Sequence, residues 1–270
     1  MSADEQDWVP PEVDRQRANV ARVYDYLLGG THNFLADQDV GRAIVAVEPN
    51  ARAVGQANRA FLGRAVRCLA AAGLRQFLDV GSGIPTQANA HEVAQDAAAD
   101  ARTVYADIDP VAIAHSRAIL AGNPGATIIE ADLRDPAAVL ERAAATGLID
   151  FSRPVGLLLL AVLHFVPDAD DPWRTVASLR DALAPGSYLV LSHGTEEGAP
   201  AVAQAAEKVY QRTVSARLRM RSRADISRFF DGFDLVEPGL VPMPYWRPDA
   251  ADPHGDPGRF WGGLAGVGRK

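Results

Sequence analysis

After a polar opening over residues 1–17, the chain settles into a helical period. Val20, Val23, Tyr24, Leu27 and Leu28 recur three or four positions apart and Gly29-Gly30 stops the run, which predicts a first helix followed by a Thr31-His32-Asn33-Phe34 loop. A second helix is predicted over 37–47, ended by Pro49. A third is predicted over 51–72, where Val54, Phe61, Leu62, Ala65, Val66 and Leu69 form an apolar stripe closed by Gly73. This helical extension, residues 1–73, has no core of its own, so it is expected to pack as a lid on the region that follows, 74–270.

From residue 76 the pattern changes to alternation. Continuous apolar stretches over 76–80, 103–106, 127–131, 155–163 and 188–192 read as strands, and helical periods over 87–99, 110–121, 136–146 and 172–184 separate them. A β-α-β-α series with apolar strands predicts an α/β fold whose parallel sheet is covered on both faces, with ligands bound beyond the carboxyl ends of the strands. A longer helix is predicted over 199–218, and Ser222-Arg223-Ala224-Asp225 has the form of a capping box opening a short helix to Phe230. Apolar segments over 233–243 and 260–269, joined by a Pro- and Asp-rich loop, are predicted to form a terminal hairpin on one sheet edge.

The candidate chemistry lies where strands end. The first strand runs into a turn, Phe77-Leu78-Asp79-Val80-Gly81-Ser82-Gly83-Ile84-Pro85-Thr86. Gly81 and Gly83 let the turn take unusual dihedrals and let a ligand lie against bare backbone N–H groups. A dinucleotide fingerprint needs a third glycine where Thr86 stands, and Asp79 would repel a pyrophosphate while attracting a cation. S-adenosylmethionine, which carries an ammonium and a sulfonium and no phosphate, fits that acid better than NAD. The second strand ends Tyr105-Ala106-Asp107-Ile108-Asp109-Pro110. Asp107 can accept both hydroxyls of a ribose or can cap a helix, and Asp109 before Pro110 suits a helix cap. The third strand ends Glu130-Ala131-Asp132-Leu133, where an acid can accept an adenine amine while the next residue packs the ring.

Composition narrows the field. The 270 residues suffice for one sizeable α/β domain with an appendage, and the net charge of −7 offers no general attraction to nucleic acid. Cys68 is the one cysteine, so no intrachain disulfide forms. No His-x-x-x-His, cysteine cluster or calcium loop occurs, and no metal is expected. The acidic start has no secretory character, and the longest apolar run, 155–163, is far below the ~20 residues of a membrane helix. A cytoplasmic protein without membrane or nucleic-acid partners is expected.

The fourth strand ends Leu160-Ala161-Val162-Leu163-His164-Phe165-Val166-Pro167-Asp168, and here the chain resembles the class I S-adenosylmethionine-dependent methyltransferases. Arg22-Val23-Tyr24-Asp25-Tyr26-Leu27-Leu28-Gly29-Gly30, together with 77–86, 104–110, 131–136, 159–168, 184–194, 235–248 and 266–270, is similar to one bacterial family of S-adenosyl methyltransferases, long catalogued as a domain of unknown function. The resemblance implies a Rossmann-like, mostly parallel seven-stranded sheet of order 3-2-1-4-5-7-6. It places Asp79, Gly81, Ser82 and Gly83 at the methionine part of the cofactor. It assigns Asp107 and Ile108 to the ribose and adenine, Asp132 and Leu133 to the adenine edge, and Ala161, Val162, Leu163 and His164 to the cofactor's inner side. His32 stands where the family pattern leads one to expect an acid.

Methyl transfer needs an in-line nucleophile and a dry pocket, with a base only for a protonated acceptor. His164 and His193 end neighbouring strands, and His164 is the candidate catalytic base. Tyr24, His32 and Asn33 are candidates for closing over the cofactor. The arginines at 212, 217, 219, 221 and 223 could meet an acidic acceptor or form a solvated face. The expected acceptor is a small molecule. A module that holds the cofactor without catalysis and an NAD(P)-dependent oxidoreductase are the alternatives.

Overall fold

Asn19 opens the first helix by accepting a hydrogen bond at Oδ1 from the Ala21 N–H (2.7 Å), and Gly29 closes it in a left-handed conformation at φ +83°. The computed structural model describes residues 13–84, 89–213, 217–249 and 262–270. Pro85, Thr86 and residues 87–88 at the start of one predicted helix lie outside them, as do 214–216 in another and 250–261, which hold most of the Pro- and Asp-rich loop and the start of the last predicted strand. The extension comprises α1 (Val20–Leu28), α2 (Leu35–Val47) and α3 (Ala51–Ala71).

Five parallel strands follow: β1 (Gln76–Val80), β2 (Arg102–Asp107), β3 (Ala126–Glu130), β4 (Gly156–Leu160) and β5 (Tyr188–Gly194). Helices α4 (Ala90–Ala97), α5 (Pro110–Leu120), α6 (Pro136–Ala145) and α7 (Pro172–Ala182) connect them. The chain then continues through α8 (Pro200–Thr213), α9 (Arg223–Ser227), β6 (Asp234–Leu235), β7 (Val241–Pro242) and β8 (Gly263–Arg269).

The sheet order is β3-β2-β1-β4-β5-β8-β6, with β7 also pairing β8, and β8 runs antiparallel to β5, β6 and β7. This is the α/β Rossmann-like methyltransferase architecture. The sheet has eight strands rather than seven because Pro238-Gly239 interrupts the predicted segment 233–243, which becomes the two short strands β6 and β7, both laid against β8.

Apolar side chains fill both faces. Leu78, Val104, Leu157 and Leu189 pack with α6 and α7 on one side, while Phe77, Tyr105, Leu158 and Val190 pack with α3, α4 and α5 on the other. Alternation persists through strands that are apolar at nearly every position, because successive side chains still point to opposite faces. Phe61, Leu62, Ala65, Val66 and Leu69 of α3 belong to this second cluster, so α3 covers the sheet directly. By contrast, α1 and α2 share a separate cluster with Ala206 and Tyr210 of α8, forming a roof over the strand ends.

Several predicted boundaries shift, and the shift at the end of the fourth strand bears on the site. The apolar run 155–163 reads as one strand, but β4 stops at Leu160; Ala161 turns into the left-handed region at φ +53° and a 3₁₀ turn follows at Leu163–Phe165. Apolar character alone does not separate a buried strand from the buried turn that ends it.

Candidate functional site

The carboxyl ends of the central strands, helix α3 and the roof of α1, α2 and α8 enclose a cavity of about 690 Å³. Its floor is the turn after β1. Gly81 has φ +72°, and a Cβ there would lie 2.2 Å from Val162 Cγ2, so only glycine lets this turn lie against the one after β4. Gly83 follows at φ +64°.

The turn's N–H groups are not bare, contrary to the expectation from its glycines. The Gly81 and Ser82 N–H groups donate to the Ala106 carbonyl (2.8 and 3.4 Å), and the Gly83 N–H donates to Asp107 Oδ2 (2.7 Å). A donor cradle for a pyrophosphate is therefore missing at these positions. The turn offers contact surface instead.

Asp107 ends β2 and also accepts at Oδ1 from the N–H groups of Ile108 (2.8 Å) and Asp109 (2.9 Å). Its orientation is set by backbone alone. Burial raises its pKa, and the hydrogen bonds from Asp109, Gly83 and Ile108 oppose the rise. Asp109 caps α5, accepting from Val111 (2.6 Å) and Ala112 (3.2 Å) as its position before Pro110 predicts.

Asp79 stands apart. It is 4% exposed, lines the cavity, and receives no hydrogen bond from the described residues. Burial pushes its carboxyl up to about 7; the Arg59 guanidinium pulls the other way and Asp107 adds to the rise. Asp132 is more open, and its oxygens accept from Arg134 (2.6–3.0 Å), which lowers its pKa. Leu133 and the half-exposed Ile108 complete that end.

Tyr24, Ala161, Val162 and His164 also line the cavity. Leu163 does not: the 3₁₀ turn carries its side chain into the core, fully buried. Asn33 is also elsewhere, donating to Asp25 Oδ2 (2.8 Å) and the Gly30 carbonyl (2.9 Å), so it braces its own loop. His32 joins that loop through its N–H, which donates to the same Asp25 oxygen (2.8 Å), and its ring meets His115 edge-on.

The two strand-end histidines are both committed. The Gly194 N–H donates to His164 Nδ1 (3.2 Å), which leaves the His164 proton on Nε2. Burial, helped by Arg221, brings its pKa down to about 3. His193 donates from Nδ1 to the Gly194 carbonyl (2.7 Å) and accepts at Nε2 from Arg221 (2.7 Å), and its pKa lies well below the usual histidine value, mainly through burial. Arg221, 3% exposed, is held further by Asp168 and by the Leu163 and Val166 carbonyls. This one member of the arginine group is therefore internal scaffolding.

A polar chain that the sequence reading missed links roof to floor. Tyr24 donates to the Gly55 carbonyl (3.2 Å) and accepts from Asn58 Nδ2 (3.0 Å). Asn58 Oδ1 accepts from Ser192 Oγ (2.6 Å), and Ser192 Oγ accepts from the Ala161 N–H (2.9 Å). The signal was present: between Val54 and Phe61-Leu62 the stripe of α3 calls for an apolar residue at 58, and the chain places asparagine there, 6% exposed.

The sequence matches the family described as S-adenosyl methyltransferase over residues 6–270. The chain belongs to this family. Among solved structures, the methyltransferase is similar to a DUF574-family protein from Streptomyces avermitilis, with 40% identity and a TM-score of 0.91 over 95% of this chain and 99% of the other. A candidate methyltransferase from Thermobifida fusca shares 42% identity and a TM-score of 0.90 over 98% and 99% of the two chains. Human N-acetylserotonin methyltransferase, solved in complex with S-adenosylmethionine, shares the fold at 12% identity and a TM-score of 0.50, over 94% of this chain and 63% of the other. No curated protein matches.

The cofactor of the methyltransferase is S-adenosylmethionine. The cavity fits it: a buried acid without a hydrogen-bond partner among the described residues suits an ammonium, and a turn whose Gly81, Ser82 and Gly83 donors are spent suits a ligand without phosphate. Among the described residues no helix is long and apolar enough to cross a membrane, and no cluster of metal-ligating side chains occurs.

Proposed function

We propose that the enzyme methylates a compact, largely apolar small molecule that brings its own nucleophilic lone pair, without an enzyme base. Asp79 holds the cofactor's ammonium, Gly81, Ser82 and Gly83 lie against its methionine part, Asp107 takes the ribose hydroxyls, and Ile108, Asp132 and Leu133 frame the adenine. When bound, the cofactor supplies a methyl group already activated by its sulfonium. The chain's own contribution is then to orient the two reactants and exclude water. Leu27, Ile44, Phe165, Tyr210 and Leu218 make the roof side of the cavity apolar, which favours an apolar acceptor.

His164 is assigned here as an Nε2–H donor facing the cavity rather than as the base expected from its position at the end of β4, because its Nδ1 is already an acceptor. Tyr24 closes the roof over the cofactor, held by Asn58.

The observation that carries this reading is Asp79, buried and without a hydrogen-bond partner among the described residues, beneath a turn whose Gly81, Ser82 and Gly83 N–H groups are already committed. Calorimetry on the purified chain is expected to show binding of S-adenosylhomocysteine and none of NAD. Binding of NAD with no heat from S-adenosylhomocysteine would overturn it.

A further inference from the structure

Among the described residues, three arginines line the cavity, Arg59, Arg134 and Arg217. Arg134 is held by Asp132, and Arg217 is exposed on the stretch between α8 and α9. Arg59, on α3, differs from both. Its Nε is buried and has no hydrogen-bond partner, and among the described residues no acid pairs with its guanidinium. It is nonetheless close enough to Asp79 to pull down that carboxyl's pKa, and it acts on Tyr24 in the same sense.

Two opposite charges thus face one cavity without closing on each other. A buried ionised group left without a partner is unfavourable, and two such groups side by side would normally form a direct pair. Their separation leaves room for a ligand with the complementary arrangement: a cation for Asp79 and an anion for Arg59. An α-amino acid is such a zwitterion. A guanidinium suits its carboxylate because the planar fork donates two parallel hydrogen bonds.

Building on the cofactor assignment above, we propose that Arg59 binds the carboxylate of the cofactor's amino-acid end, so that Arg59 and Asp79 form a split ion pair completed by the zwitterion between them. Helix α3 is then part of the cofactor site and not only a cover for the sheet. Selection follows as well: the cavity discriminates against adenosyl thioethers that keep the amine and lack the carboxylate.

Calorimetry with three probes separates this from the assignment it rests on. S-adenosylhomocysteine carries both charges, S-adenosyl-3-thiopropylamine carries only the amine, and 5′-methylthioadenosine carries neither. The native chain should prefer the first over the second by about 10- to 100-fold, the range of a charge-assisted hydrogen bond. Arg59→Met should lose that preference by weakening S-adenosylhomocysteine most, with affinity for 5′-methylthioadenosine, which carries neither charge, unchanged and serving as the control for folding; Arg59→Lys should retain part of it. Equal loss for all three probes, or no loss for any, overturns the role of Arg59. Absence of binding by the native chain to every probe instead overturns the cofactor assignment itself.

Discussion

Asp79 concentrates the site's electrostatics in one carboxyl group. Burial raises its pKa from 3.8 to about 7, so the empty protein takes up a proton there that the unfolded chain would release. The resulting stabilisation is complete below the ordinary value and is lost as the pH rises through about 7. On the proposed assignment cofactor binding reverses the preference, because the carboxylate that holds an ammonium must first lose its proton. Affinity for S-adenosylhomocysteine is therefore expected to rise about tenfold per pH unit below this value and to level off above it. Asp79→Asn should weaken binding about 10- to 100-fold at pH 8 and flatten that profile, both readable by calorimetry. The histidines should contribute no such limb, since burial and their committed nitrogens keep both neutral. His164→Gln is expected to lower kcat by less than about tenfold, whereas loss of a general base removes about 10²–10⁴-fold. A loss in the latter range would reinstate His164 as the base.

The elements around the site are tied by buried polar groups rather than by apolar contact alone. Arg22 of α1 and Asp37 of α2 form an ion pair at 2.9 Å with side chains 5% and 0% exposed. Asp37 also accepts from the Asn19 N–H (2.8 Å) and the Phe34 N–H (2.8 Å), and Arg22 donates to the Arg17 carbonyl (2.6 Å). Asp37→Ala removes one partner and leaves a buried guanidinium unpaired, so it should destabilise the protein by about 3–5 kcal/mol in denaturant unfolding. The Tyr24–Asn58–Ser192 chain joins α1, α3 and β5 and ends on Ala161, whose left-handed conformation is held by hydrogen bonds from its N–H to Ser192 Oγ (2.9 Å) and the Ser192 carbonyl (3.1 Å). Roof and floor of the cavity are thereby coupled through side chains that sit on different elements.

Across the whole molecule, the extension contributes to the core as well as to the roof. Phe61 of α3 is fully buried and meets Trp246 edge-on at 5.4 Å between ring centroids, and Arg64 donates to the Trp246 and Met243 carbonyls (2.9 and 2.8 Å). The third helix thus binds the segment that leads into β8 and covers one face of the sheet at the same time. Phe61→Ala should cost about 3–5 kcal/mol of stability by denaturant unfolding, the range for removing a large aromatic from a close-packed core. A change within about 0.5 kcal/mol would show that α3 is dispensable to the core.

Local pattern determined much of this protein. The periods of the helices, the apolar strands and their alternation, the cap at Asp109 and the glycine turn after Asp79 are all settled by residues close together in the chain, where spacing alone fixes which side chains share a face. Tertiary structure decided what depends on residues far apart. Leu163 and Ala161 differ little from Leu160 in composition, and only packing against β5 makes them a turn. Asn33 serves its own loop because Asp25 is folded beneath it. The hydrogen bonds that commit His164 and His193 involve Gly194 and Arg221, and Arg59 shares a cavity with Asp79 only because α3 packs beside the strand ends. Protonation and charge pairing are set by distance and burial in space, and neither is a property of the segment in which the residue stands.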